Sequence, residues 1–253
     1  MTEKSSKKSW LIFYTVEKFC SLFSDAIVTI NREDFANAKK MFCKKIFYIN
    51  GVGVDTSKYR NVPVDHDEYR KMLGIPKKKV MVLAVGELST RKNHQIIIKA
   101  ISKLKNKDDY VFVICGNGFN GGTGKMLSEL AQKEHVDLRL LGFRMDIPEI
   151  TEVSDIGVIP FVREGLGLPG IQSLAAGIPV VGSDVQGIRD YIVDGKTGYL
   201  CDPFDADAFA KKIQVFSNAK KRKEMEKFCR DMAANFDNSV SFQQMQEIYD
   251  ELA

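Results

Sequence analysis

The sequence predicts an α/β fold, a doubly wound parallel sheet with helices on both faces, preceded by a smaller unit of similar make. Three observations predict it. From Val80 onward short apolar runs alternate with helix-length segments, the order that βαβ units produce. Those runs are continuously apolar, as strands covered on both faces are. The composition, 44% hydrophobic and 28% charged over 253 residues, is that of an ordinary folded domain and not of a disordered chain.

The elements follow in order. Residues 9–23 (SWLIFYTVEKFCSLF) are apolar but interrupted by Glu17 and Lys18, and too short to span a bilayer. Trp10, Phe13, Val16 and Cys20 recur at spacings of three or four, so an amphipathic helix is expected. Its apolar face is expected to pack against protein, with contact to a membrane surface as the alternative. A strand at 25–30, a helix at 32–42 and a strand at 44–49 come next, then a Gly-rich connector, NGVGVD. So few elements cannot bury an independent core, and this stretch reads as the end of a domain whose beginning is absent. Pro63 and Pro76 punctuate the passage onward.

The main alternation is strand 80–86, helix 93–104, strand 110–116, helix 125–135, strand 138–143, helix 147–153, strand 155–161, helix 168–176 and strand 179–185. A charged helical tail starts near Asp207, and 239–252 is amphipathic. Ligands of such sheets bind at the carboxyl ends of the strands, so the loops there are the places to search.

The net charge of +4 is gathered in short runs, at Lys4, Lys7 and Lys8, at 39–45, at 77–79 and at 220–223. These are solvated faces first, and attraction to an anionic membrane is the sharper alternative. No basic patch interleaves with aromatics as nucleic-acid modules require. The five cysteines form no C-x-x-C pair and are odd in number, against a disulfide framework or a zinc site and for a reducing cytosol. Cys115, in an apolar strand, reads as a small hydrophobe.

Three loops could carry chemistry. In GELSTRKNH (86–94) Gly86 lets the chain leave a strand tightly, and Arg91 and Lys92 stand where a helix opens. Two cations at a helix mouth suit a diphosphate. A solvated Arg–Lys pair, with Asn93 as helix cap, is the competing reading. CGNGFNGG (115–122) satisfies G-x-G-x-x-G at Gly116, Gly118 and Gly121. A lone match of that kind is weak, and the next strand leads to Arg144 instead of the acidic residue a dinucleotide site needs. In REGLGLPGIQ (163–172) a glycine loop with Glu164, Gly165, Leu166 and Gly167 feeds a helix that has Pro169 near its first position. Glu164 can accept hydrogen bonds from sugar hydroxyls, and Gln172 can both donate and accept.

Taken together, residues 80–202 resemble the C-terminal domain of family-4 GT-B retaining glycosyltransferases, which use nucleotide sugars in polysaccharide and glycan assembly. The matching pieces are GELSTRKNH, the GNG turn, LLGFRMDIPEI (140–150), SDIGVIPFVREGLGLPGIQSLAAGIPVVGSD (154–184) and DGKTGYLCDP (194–203). Residues 9–55 resemble the last elements of that family's N-terminal domain, and the final helix resembles the segment that crosses back to it. The resemblance implies a remnant of the acceptor domain plus linker at 1–52, a Rossmann-like nucleotide-sugar domain at 53–236 and a crossover helix at 237–253. The acceptor site and a histidine-bearing loop of the family fall outside the matched segments.

What the resemblance implies for residues is specific. Arg91, Lys92 and Glu164 would be catalytic, the cations on the donor diphosphate and Glu164 on the sugar. Gly86, Gly116, Asn117, Phe143, Arg144, Gly165, Leu166, Gly167 and Gln172 would bind substrate, with Phe143 and Arg144 beside the base. The family carries a ribose-binding glutamate where this chain has Gln172. No cofactor and no metal are implied, and the donor class is a UDP-sugar. The D-x-D patterns at Asp65–Asp67 and Asp205–Asp207 lack the strand context of a metal site, and the second reads as a helix start. Implied partners are the nucleotide sugar, a glycan or lipid-linked acceptor, and a separate N-terminal-domain chain or a second copy. The expected place is the cytoplasm, at the inner face of the membrane if the basic and apolar surfaces touch it. A binding module without transfer, and a nicotinamide-dependent dehydrogenase built on Gly116, Gly118 and Gly121, are the rival readings.

Overall fold

The computed structural model describes residues 7–118 and 121–253. Helix α1 (Lys7–Cys20) leads through a single 3-10 turn into β1 (Ala26–Thr29), α2 (Arg32–Ala38) and β2 (Lys45–Tyr48). β1 and β2 pair in parallel as a two-stranded sheet of their own. Helix α2 ends at Ala38, four residues short of the expected 42, and the chain turns through 39–42 to bury Cys43.

The large sheet is built from β3 (Val80–Val85), β4 (Tyr110–Cys115), β5 (Leu138–Gly142), β6 (Ile156–Ile159), β7 (Val180–Ser183) and β8 (Gly198–Cys201), all parallel, in the spatial order β5-β4-β3-β6-β7-β8. The strand order reverses between β3 and β6, which opens a crevice above their carboxyl ends. Helices α4 (Gln95–Ser102), α5 (Gly122–Glu134), α6 (Ile147–Glu152), α7 (Leu168–Ala175) and α8 (Ala206–Val215) fill the crossovers and flanks. Their core is dry: Val82, Phe112, Ile156, Ile171, Val180 and Phe209 have no exposed surface. A smaller cluster on the other face, around Met81, Val111 and Ile150, closes the sandwich.

Two elements go beyond the expected ones. α3 (His66–Met72) lies in the passage between the prolines, and Asp65 caps it by accepting from the amides of Asp67 and Glu68. Asp205 caps α8 in the same way, so both D-x-D patterns are helix starts. Strand β8 forms from GYLC, inside a segment recognised as a motif but not as a strand.

Helix α9 (Ala219–Ala234) packs on α7, and α10 (Asn238–Leu252) returns to the N-terminal unit. Gln244 accepts from the Asn50 amide and Lys45 donates to the Glu251 carbonyl. The connector is stitched to the start of α10 by the Val54 amide donating to the Phe236 carbonyl, the Asn238 amide donating to the Val54 carbonyl, and Thr56 donating to the Asp237 carboxylate. Hydrogen bonds from Ser239 and Thr56 hold the Asp237 carboxyl far below the usual carboxylate range.

Within this chain the apolar face of α1 stays uncovered: Ile12, Phe13, Val16, Phe19, Leu22 and Phe23 are all more than half exposed, and Cys20 is exposed. Lys4 and the Trp10 side chain lie outside the described residues. Among the described residues no helix is long and apolar enough to cross a membrane.

Candidate functional site

The loops that follow β5, β4, β3 and β6 stand side by side, because those strands are neighbours in that order. Three strand spacings of about 4.8 Å make a row roughly 14 Å long, the length scale of a nucleotide carrying a further group. Every residue expected at the site lies on these four loops or on α7.

At the crevice, Thr90–Lys92 form a 3-10 turn, not the mouth of a helix. Asn93 follows with φ +50°, and α4 starts only at Gln95. Asn93 therefore closes the 3-10 turn and is not the N-cap of α4. Its buried amide donates to the carbonyls of Pro160 (3.1 Å) and Pro203 (2.7 Å), while the Val162 amide donates to the Arg91 carbonyl (3.0 Å). These bonds staple the turn to the exit of β6 and set Lys92 opposite Glu164.

Lys92 Nζ lies 2.6 Å from Glu164 Oε2 and 3.7 Å from the centroid of the Phe161 ring. Both partners of the pair are mostly buried, so the attraction is stronger than at an open surface. Arg91 sits outside it, half exposed, within 3.6 Å of Glu164 and 3.2 Å of Glu87. Hydrogen bonds from Arg91 and Ser89 lower the Glu87 carboxyl. Gly86 faces the Lys92 stem and Phe161, each 3.7 Å from where a side chain would begin. Two cations thus converge on one carboxylate, and an incoming dianion could compete for both.

The loop after β6 is tightly held. Glu164 Oε1 accepts from the Gly165 amide, and Gly167, at φ +79°, caps α7. The buried Tyr191 hydroxyl donates to the Gly167 carbonyl at 3.2 Å. Burial and the nearby Glu164 charge push that phenol well above its ordinary range, so it stays a donor. Leu166 is buried with its side chain against Gly51, and Gly187 packs on its backbone. Gln172 is half-buried one turn into α7.

At the β4–β5 end, Gly116, Asn117, Gly118, Gly121, Gly142 and Phe143 line a cleft of about 440 Å³. Gly116 has to be glycine, since a Cβ there would lie 1.9 Å from the Gly86 carbonyl oxygen. Asn117 is exposed and its carbonyl accepts from Leu88. Phe143 is 66% exposed, with no packing to account for it. Arg144 turns back onto Asp146, which also accepts from Tyr69. The Arg144 guanidinium lowers the Asp146 carboxyl, and the pairing raises Arg144 in return. Residues 119 and 120 of this glycine turn lie outside the described ones.

A second cleft of about 490 Å³ adjoins Arg91, Gln95, Lys99 and the exposed Phe204. Among the described residues no group of three or more His, Cys, Asp and Glu side chains could hold a metal. Cys115, Cys201 and Cys229 are buried, and burial pushes each thiol up to about 12.

A family profile described as glycosyl transferases group 1 matches residues 65–232. The chain belongs to the group 1 glycosyltransferases. This glycosyltransferase chain is 32% identical to EpsD of Bacillus subtilis over 248 residues, 96% of its own length and 65% of EpsD. It is 26% identical to the UDP-Gal:alpha-D-GlcNAc-diphosphoundecaprenol alpha-1,3-galactosyltransferase of Escherichia coli, over 94% of this chain and 62% of that one. It therefore spans just under two thirds of these relatives. In fold it resembles HepE of Anabaena, solved in complex with UDP and glucose, with a TM-score of 0.85 at 20% identity, covering 98% of this chain and 68% of that one. A parallel α/β sheet of the GT-B kind is what these neighbours share with it.

Several residues that matter here escaped sequence reasoning. Asn31, a fully buried helix cap, donates to the Gly165 carbonyl at 2.9 Å. Gly187 allows the same carbonyl to approach, because a Cβ there would lie 2.0 Å from it. His94, expected only as a residue near the helix start, is 1% exposed and bonds the Glu87 carbonyl at 3.3 Å. The N-x-x-D cap of Asn31 and Asp34 is legible in the sequence, but its partner 134 residues away is not.

Proposed function

We propose that this chain carries the donor side of a retaining glycosyl transfer from a UDP-sugar to a glycan or lipid-linked acceptor. The observation that carries the reading is the convergence of Arg91 and Lys92 on Glu164 at the switch point of the sheet. The diphosphate would displace Glu164 from the two cations, freeing the carboxylate for sugar hydroxyls. As the anomeric bond breaks, charge grows on the departing phosphate, and cations already in place lower the barrier without reorganising. The base would lie in the cleft beside Phe143 and Arg144, and Gln172 would reach the ribose. Lys92 and Arg91 supply the positive charge that a metal would otherwise bring, so the reaction is read as metal-independent. HepE, with its UDP, and the UDP-Gal-dependent relative support the choice of donor.

A second reading has its own support: Gln172 stands where the resembled family has a ribose-binding glutamate, and the chain spans 65% of EpsD. On that reading it binds the nucleotide sugar and transfers nothing unless joined by the rest of an acceptor domain. Sugar transfer by this chain alone would overturn it.

The test of donor binding is calorimetry with nucleoside diphosphates and nucleotide sugars in EDTA, on the natural chain and on Arg91→Ala, Lys92→Ala. Two charge-assisted bonds at about 1.5–3 kcal/mol each predict a loss of about 100-fold or more in the double variant. Absence of binding by the folded natural chain, or equal binding by the variant, would sink the donor reading.

A further inference from the structure

We propose that Asn31 is a positioning residue for the donor loop, setting the Gly165 carbonyl from the N-terminal unit. The inference rests on the donor reading above, since it gives the loop at 164–167 its task. Asn31 is wholly buried and uses both ends of its amide. Its Oδ1 accepts from the Asp34 amide at 2.7 Å, which caps α2. Its Nδ2 donates to the Asp34 carboxylate at 2.7 Å and to the Gly165 carbonyl at 2.9 Å. The orientation is fixed by chemistry: reversed, the amide would set an oxygen against a carboxylate and a carbonyl, and an NH2 against an N–H.

The cap accounts for one end of this side chain. The other end crosses to the glycine loop, and the structure crowds the same carbonyl from the opposite element. Gly187 approaches it so closely that a Cβ would lie 2.0 Å from the oxygen, so the carbonyl cannot swing that way. Asn31 is itself anchored. The next residue, Arg32, donates its amide to Asp190 at 2.9 Å, and Glu33 pairs with Arg189 at 3.0 Å. Tyr191, adjacent to Asp190, holds the Gly167 carbonyl. The loop is thus gripped at two carbonyls, one held directly by α2 and the other through the segment on which α2 rests. With the Gly165 carbonyl fixed, its peptide plane and the amide that follows have one orientation toward the crevice. Without Asn31 the loop keeps its glycines and their freedom.

Two variants separate the cap from the grip. Asn31→Asp and Asn31→Ser both cap a helix well, and neither can donate to Gly165 as the amide does; the carboxylate would in addition face the Gly165 carbonyl and the Asp34 carboxylate, whereas the serine adds no charge. Circular dichroism and thermal unfolding check that α2 and the fold persist. Hydrogen exchange on the unliganded full chain then reads the grip: amides at 164–168 are expected to exchange faster while those of α2 stay protected. Calorimetry with UDP and UDP-glucose reads the consequence. For Asn31→Asp the UDP-glucose affinity is expected to fall about tenfold, the scale of one hydrogen bond, and that of UDP by less than about threefold. Loop amides that exchange as in the natural chain overturn the proposal, and so do affinities that are unchanged or fall equally for both ligands. A natural chain that binds neither ligand overturns the donor reading instead, and the exchange experiment still decides whether Asn31 grips the loop.

Discussion

His94 shows what a single side chain contributes beneath the site. It is sealed between the Glu87 carbonyl and the edge of Phe161, with rings 6.4 Å apart. Burial drops its pKa from 6.5 to about 4, with the Lys92 charge acting in the same direction. The neutral ring is therefore the folded form, and Nε2 can donate to Glu87 only if it carries the proton. Because the folded value is depressed, the unfolded chain takes up the proton first. Stability from this group is complete above pH 6.5 and is lost as pH falls from 6.5 toward 4, by up to about 3 kcal/mol. Denaturant midpoints measured between pH 7 and 4 should fall more steeply for the natural chain than for His94→Gln. Parallel curves would mean that His94 is not held neutral. The residues beside it divide into legible and hidden. Arg91, Lys92 and Glu164 could be singled out because charge beside glycine is visible in a sequence, whereas the mutual pairing of all three depends on two loops 72 residues apart.

At the scale of elements, the glycine turn after β4 separates pattern from cause. Gly116, Gly118 and Gly121 spell a dinucleotide fingerprint, yet each answers to local packing. Gly116 permits the Gly86 carbonyl to approach, Gly118 takes φ +96° and Gly121 caps α5. Gly116→Ala should destabilise by about 1–3 kcal/mol, the range for overpacking, because the obstacle is backbone and cannot step aside. Gly122→Ala meets nothing within 4 Å at the first turn of α5. It should be neutral or stabilise by up to about 1 kcal/mol. Chemical denaturation of the two variants checks both; equal effects would show that the β3–β4 approach is not what fixes Gly116. Strands were the most legible elements, since continuous apolar runs leave few alternatives. Helix ends were less so: α2 stops early because Cys43 is drawn inside, and α3 shows only in its cap.

The whole molecule divides its labour between the two ends of the sheet. All the loops of the candidate site gather at the carboxyl ends of the strands, and at the opposite end one carboxylate joins distant parts of the chain. Asp155, just before β6, accepts from Arg70 of α3 and Arg222 of α9, each at 2.6 Å, and also from the Met81 amide of β3. Arg70 spends its remaining donors on the Val153 and Lys79 carbonyls. None of this could be read from sequence, because four elements up to 152 residues apart meet only once the sheet has formed. All three side chains are at least four-fifths buried. Removing the shared acid therefore strands two guanidiniums that water cannot fully reach, which costs about 3 kcal/mol or more. In a chain of this size that corresponds to a fall of roughly 6–12 °C in the unfolding midpoint. Asp155→Ala should show that fall in thermal unfolding while its UDP-glucose affinity, measured well below the midpoint, stays within about twofold of the natural chain. The opposite result, a weakened affinity at an unchanged midpoint, would mean that the far end of the sheet acts on the site and that support and chemistry are not separated along the strands.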